Sequence, residues 1–420
     1  MPVPRARRRG RPVASHAGAV DGLHNDPVGH RSPRLGVAGG ERDHRQRARE
    51  RPGRRDHRGA FRRGTALRDA RRPARGGRRV AQAGVRVRDP HADARLQAGV
   101  PLSPRSIPRI GGVSNFPARV RIREVGPRDG FQNEPEVIPT ADKVRLIEML
   151  GATGLQRIEV TSFVRPDVMP QLADASEVLS SVSLPSGVAV SVLIPNERGL
   201  ERALDWRDRF QEINGFLSAS ETHNQKNVGR SVAESLEGLS RVFARARSEG
   251  LRCEGVISTS FGCPYEGHVP VDRVLDIAAA LVDAGAVEVG FGDTTGMANP
   301  VQVRSFFGAA FERLPGVELT AHFHNTRGQG LANVLAALES GVESFESSFG
   351  ELGGCPVPAG ATGNIATEDL VSMLHEMGIA TGVDLGKLIQ ASRAAQGVLG
   401  RPLGSHVLVA GPVEWAGADR

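Results

Sequence analysis

The chain has 420 residues, 39% of them hydrophobic, and a formal net charge of +7. That length suits two ordinary domains or one large barrel with an extension, and no apolar run approaches the roughly 18 residues of a membrane span. The three scattered cysteines, Cys253, Cys263 and Cys355, make neither a disulfide framework nor a zinc knuckle, so a reducing cytoplasm is the expected setting.

The positive charge is confined to one end. Residues 1–115 set about 28 arginines against about 9 acidic residues, roughly +19, which leaves the remaining chain near −12. An acidic remainder has no generic footprint for nucleic acid. Stretches such as RARRRGRP and RDARRPARGGRR hold no helical or strand period able to bury a face, so residues 1–115 are expected to be a disordered basic extension. Lysine occurs only at Lys143, Lys226 and Lys387, as a GC-rich gene would produce. A misassigned start codon is therefore a second account of this segment, and a basic arm for RNA or an acidic surface is a third. The expected organisation is this extension, a catalytic domain over 116–400 and a tail over 401–420.

From about residue 117, short β-branched runs alternate with amphipathic helical stretches, the pattern of a parallel sheet with crossover helices. The first strand is expected over 119–125 (RVRIREV), followed by a helix over 140–154. Strands over 157–163, 188–194 and 212–220 come next, then a helix over 231–250. A strand over 253–261, a helix over 270–286, strands over 287–295 and 318–325, a helix over 330–342 and a strand over 344–350 complete the series. Several of the helices end in glycine, as a left-handed C-cap requires. Eight β-then-α units in about 280 residues match an α/β fold of the (β/α)8, or TIM barrel, kind. An open doubly wound sheet usually carries a glycine-rich phosphate loop after its first strand, whereas here that turn reads EVGPRDGFQNE.

In such a barrel the active site lies at the C-terminal ends of the strands. Glu124, Arg128 and Asp129 fall there on strand 1, Glu159 on strand 2, Asp293 on strand 6, and His322 and His324 on strand 7. Residues i and i+2 of a strand share a face, so His322 and His324 are expected to point at one cation together with Asp129. Two satisfied core histidines would be the bland alternative. Two imidazoles, one carboxylate and an amide or water make a harder donor set than a thiolate zinc site, which suits Mg2+ or Mn2+. Arg128 is read as a fixed cation able to stabilise an enolate. Cys355, between glycines and prolines in GGCPVPAGATGN, is expected on a loop over the rim.

The segments EVGPRDGFQNE, IEVTSFVRPDVMPQ, GCPYEG, GDTTGMANP, HFHNTRGQGLAN and GELGGCPVPAGATGNIATEDLVSMLHEMGI occur in this order. Together they resemble the 3-hydroxy-3-methylglutaryl-CoA lyase family across about residues 119–400. The resemblance implies that Asp129, His322, His324 and Asn364 hold the metal. It implies that Arg128 stabilises the departing enolate and that Cys355 and His322 take part in proton transfer. Glu124, Glu159 and Asp293 match acidic residues of the family's site. It further implies an acyl-CoA substrate, a retro-Claisen cleavage to acetyl-CoA and acetoacetate, a role in leucine breakdown, and a homodimer or larger oligomer. A related lyase or a Claisen-type synthase acting on another acyl group is the alternative, although synthases of this group carry a different loop after strand 8. The chain departs from common members at Phe323, Asn325, Pro135 and Gly290. None of these belongs to the implied metal set.

Overall fold

The sequence from residue 121 repeats one decision eight times: a strand too apolar on its outer face to stand alone, then a helix that covers it. In the computed structural model, which describes residues 116–354 and 362–414, the units run in chain order. They are β1 (Arg121–Glu124), α1 (Thr140–Gly151), β2 (Arg157–Ser162), α2 (Ala175–Ser181), β3 (Ala189–Leu193), α3 (Glu197–Leu204) and β4 (Glu212–Ser218). These are followed by α4 (Glu221–Val228), α5 (Val232–Ser248), β5 (Arg252–Ser258), α6 (Val271–Asp283), β6 (Glu288–Asp293) and α7 (Pro300–Arg313). The series ends with β7 (Glu318–Phe323), α8 (Gly330–Glu339), β8 (Ser344–Ser347), α9 (Thr367–Glu376), α10 (Leu385–Leu399) and α11 (His406–Ala410). All eight strands pair in parallel with their sequence neighbours, and β8 pairs with β1, so the sheet closes into the expected TIM barrel.

Every expected strand is present, but several stop short at the C-terminal end. Beyond β5, Ser260 Oγ donates to the Ile257 carbonyl at 2.7 Å and Thr259 takes a positive φ of 59°. Hydroxyl side chains offer the backbone partners that compete with the ladder, and they turn the chain at the rim. The helices begin and end for local reasons. Ser231 and Glu234 form a reciprocal capping box at α5, and Gly250 and Gly341, expected as caps, adopt positive φ.

Alternation sorts the strand residues. Val289 and Phe291 of β6 are fully buried, and Phe291 packs on Phe306 of α7 with ring centroids 4.9 Å apart. A Cβ at Gly215 would lie 2.6 Å from Leu239 of α5, and one at Gly255 would lie 2.8 Å from Leu281 of α6, so glycine there lets helix and sheet approach closely. The barrel interior is instead charged toward its floor. Arg157 pairs with Glu212 at 2.9 Å and Glu288 at 2.7 Å, Arg252 with Glu318 at 2.6 Å, and Arg123 with Glu254 and with Glu346 at 2.9 Å. Unpaired burial of such ions would cost several kcal/mol each. Interlocking arginines and glutamates let the barrel centre stay polar.

Residues 1–115, expected as a disordered extension, lie outside the described residues. Of the expected tail, residues 401–414 pack on the barrel. Leu403 and Leu408 are buried, Arg401 pairs with Glu134 at 2.5 Å, and Ser405 donates to Asp369 at 2.8 Å. A five-residue helix carries too short a period to announce itself. Among the described residues no helix is long and apolar enough to cross a membrane.

Candidate metal centre and active site

At the end of β1 the chain turns through a wide helical turn, Gly126–Gly130, in which the Asp129 N–H donates to the Val125 carbonyl at 2.7 Å. This turn carries Arg128 and Asp129 over the barrel mouth. Across from it, β7 presents His322, and His324 follows just past the strand end, where it bridges to Asn364 in antiparallel fashion. One ligand atom from each of Asp129, His322 and His324 lies within 4.8 Å of the other two. The two imidazole Nε2 atoms are 3.1 Å apart. Asn364 Nδ2 donates to Asp129 Oδ2 at 2.7 Å and to the Leu352 carbonyl at 3.1 Å, while its own Oδ1 is buried with no partner among the described residues. Two converging imidazole nitrogens and a carboxylate, with the Asn364 amide held against that carboxylate, make a donor set that fits a hard divalent cation.

The local electrostatics agree with that fit. Burial pushes His324 down to about 3, reinforced by His322, so its imidazole is neutral and keeps a lone pair. Burial also acts to lower His322, but its hydrogen bond to Glu346 and the Glu346 and Asp129 charges outweigh this and raise it. Burial would raise Asp129, yet Arg128 and the two histidines hold it below the usual carboxylate range. Arg128 donates to Glu159 through Nε and to Asp129 through Nη1, both at 2.6 Å. Gln132 adds a second donor to Asp129 Oδ1 at 2.9 Å.

The other expected residues divide. Asp293 accepts the Met297 and Ala298 N–H groups on Oδ1 at 2.7 and 3.1 Å, and Oδ2 is buried without a partner among the described residues. Burial pushes this carboxyl up to about 6. Glu159 is fully buried and is spent on Arg128 and on Asn214, which donates to it at 2.9 Å. Both of its oxygens are thus engaged, and through Oε2 it orients Arg128. Glu124 stands apart from this group. It lies on the strand face opposite Arg123 and accepts from the Gly126 and Phe349 N–H groups and from Thr367 Oγ1 at 2.7 Å. Burial raises it to about 8. Its contacts tie the turn after β1 to the end of β8, outside the barrel interior. Cys355 lies outside the described residues. Cys263 is buried with Sγ 3.1 Å from Ser220 Oγ, and burial pushes the Cys253 thiol up to about 12.

Two departures acquire a local reason. Asn325 donates its amide to Glu351 Oε1 at 2.7 Å, which an ionised aspartate could not do. Gly290 points into the barrel, where a Cβ would meet Glu254 Oε1 at 3.0 Å. Glu346 was not anticipated. Its Oε2 lies 2.9 Å from His322 Nδ1, and the usable signal was an inward-parity carboxylate on the strand next to the histidine pair.

A parallel (β/α)8 barrel with oxygen and nitrogen donors gathered at its C-terminal rim defines a barrel of the metal-dependent enzyme class. Comparison with known proteins narrows this. The HMGL-like family model matches residues 119–394. The hydroxymethylglutaryl-CoA lyase YngG of Bacillus subtilis is 46% identical over 293 residues, 70% of this chain and 97% of the relative. A Pseudomonas aeruginosa protein named 3-hydroxy-3-isohexenylglutaryl-CoA/hydroxy-methylglutaryl-CoA lyase is 42% identical, over 70% of this chain and 97% of its own. The structure of an HMG-CoA lyase from Acinetobacter baumannii in complex with coenzyme A and 3-methylmalate superposes with a TM-score of 0.68 at 41% identity, covering 71% of this chain and 97% of that one. The chain belongs to the HMGL-like family.

Proposed function

We propose that this protein is a divalent-metal-dependent carbon–carbon lyase that cleaves 3-hydroxy-3-methylglutaryl-CoA to acetyl-CoA and acetoacetate. Mg2+ or Mn2+ is the metal in this reading, the cytoplasm the setting, leucine breakdown the pathway, and a homodimer or larger assembly the working form. The observation that carries it is the convergence of Asp129, His322 and His324, with Asn364 hydrogen-bonded to Asp129, in a chain whose relatives are named lyases of this thioester.

Asp129, His322, His324 and Asn364 hold the cation. When bound, it supplies Lewis acidity that lowers the pKa of a substrate hydroxyl and gathers negative charge on substrate oxygens. Asp293, with one oxygen fixed by two backbone N–H groups and the other unpartnered, takes the C3 hydroxyl proton. A carboxyl raised to about 6 is ionised near neutrality yet basic enough to accept it. The C2–C3 bond then breaks, C3 becomes the ketone of acetoacetate, and the electron pair passes to the acetyl thioester as an enolate. Arg128, held by Glu159 and Asp129, meets that charge as it forms, which favours the transition state over the ground state. Cys355 is assigned the proton delivery to C2 on the family resemblance.

The test is acetoacetate release from the hydroxymethylglutaryl thioester by metal-stripped protein, with and without added Mg2+ or Mn2+, run beside the isohexenyl analogue. Metal-dependent release supports the reading. No release at any metal concentration refutes it.

A further inference from the structure

The barrel's parallel register joins one metal-facing histidine to two side chains that belong to none of the motifs. His322 of β7 is the Cα partner of Glu346 on β8, and Glu346 is the partner of Arg123 on β1. Register partners in a parallel ladder project from the same face, so these three side chains form a single row across the barrel interior. Glu346 divides its oxygens along that row. Oε2 lies 2.9 Å from His322 Nδ1 and Oε1 lies 2.9 Å from Arg123 Nη1. Both Glu346 and Arg123 are buried, and Arg123 is also held by Glu254, which shares its Nη1, and by Glu288 at its Nη2. The carboxylate therefore has no room to exchange partners.

An ionised carboxylate only accepts hydrogen bonds. Facing His322 Nδ1, it requires the imidazole proton there and leaves the Nε2 lone pair for the point shared with His324 and Asp129. Among the described residues His324 has no such holder, and its Nδ1 is buried without a partner. We propose that Glu346 is a positioning residue that fixes the His322 tautomer and aims its Nε2 at the cation, with Arg123 as the anchor that keeps Glu346 in register. This rests on the metal reading above, and it concerns how the site is built.

Glu346→Gln makes the idea sharp, since it changes shape little but has one acceptor and one donor. The Arg123 guanidinium claims the amide oxygen, which turns the NH2 toward His322 Nδ1 and selects the opposite tautomer. Mn2+ titration of the full chain, followed by calorimetry, is expected to show binding by the wild type and a 10- to 100-fold weaker affinity in Glu346→Gln, the usual range for such supporting partners. Long-range nitrogen–proton NMR of metal-free protein labelled with 15N-histidine, at a pH where imidazole is neutral, should place the His322 proton on Nδ1 in the wild type and on Nε2 in the variant. Affinity of Glu346→Gln within twofold of wild type overturns the proposal, as does an Nε2 proton on His322 in the wild type, a result that needs no variant. Failure of the wild type itself to bind Mn2+ overturns the metal reading instead.

Discussion

Removing the Arg128 guanidinium separates the charge that meets the enolate from the donors that hold the metal. Its Nε and Nη1 each make a 2.6 Å charge-assisted bond, to Glu159 and to Asp129. Arg128→Met deletes a preorganised cation, and losses of this type run to about 10²–10³ in kcat, or about 3–4 kcal/mol. Arg128→Lys keeps a charge but, with one nitrogen, keeps only one of the two bonds in place. The forfeited bond is worth about 1.5 kcal/mol, so kcat should fall roughly tenfold. Metal affinity should move the other way in Arg128→Met. The guanidinium sits against Asp129 and competes with any cation for that carboxylate, so its removal should leave Mn2+ binding equal or tighter. Steady-state acetoacetate release and Mn2+ titration on the same preparations separate the two effects. Loss of metal together with activity in Arg128→Met would refute this division of labour.

Asp293→Asn should abolish turnover and yet stabilise the protein. Burial raises this carboxyl from 3.8 to about 6, so the folded state favours the protonated form. The associated stability is present at low pH and lost as pH rises through about 6, amounting to roughly 3 kcal/mol at full ionisation; a higher Tm for the variant at pH 8, with the advantage gone at pH 4, is the expected result. The same titration predicts that wild-type kcat/KM falls on acidification with a midpoint near 6, and a flat profile from pH 5 to 8 would exclude Asp293 as the base. Gly215→Ala should cost about 1–3 kcal/mol by overpacking, because its Cβ would meet Leu239 at 2.6 Å and Phe243 at 2.9 Å; denaturant unfolding reads this, with kcat of the folded fraction unchanged. A chain beginning at residue 116 should keep its circular dichroism spectrum and full turnover, and loss of both would show that the basic segment is needed by the barrel.

The barrel was legible because the strands and the longer helices carry their own periods and several helices end near a glycine with positive φ. The histidine pair was legible because a spacing of two on a strand has one geometric meaning. Glu124 shows where such reading ends. In Arg121-Ile122-Arg123-Glu124 both parities carry charge, so alternation alone does not say which side faces inward. The answer came from partners more than 200 residues away, Phe349 and Thr367. Glu346 sits in SFESS, an unremarkable strand, and acquires meaning only when register sets it between His322 and Arg123. The docking of 401–414 was hidden for a related reason, since its hold on the barrel lies in single contacts such as Arg401 with Glu134 rather than in a repeating apolar face.

The central claim is that two imidazole nitrogens from one strand end share a cation with Asp129. Pulsed electron paramagnetic resonance of Mn2+ bound to the 15N-histidine-labelled protein reads this directly through the coupling of each ligating nitrogen to the metal. Two histidine nitrogens are predicted, falling to one in either His322→Ala or His324→Ala where metal is retained at high concentration. A bound Mn2+ with no histidine coupling would contradict the account.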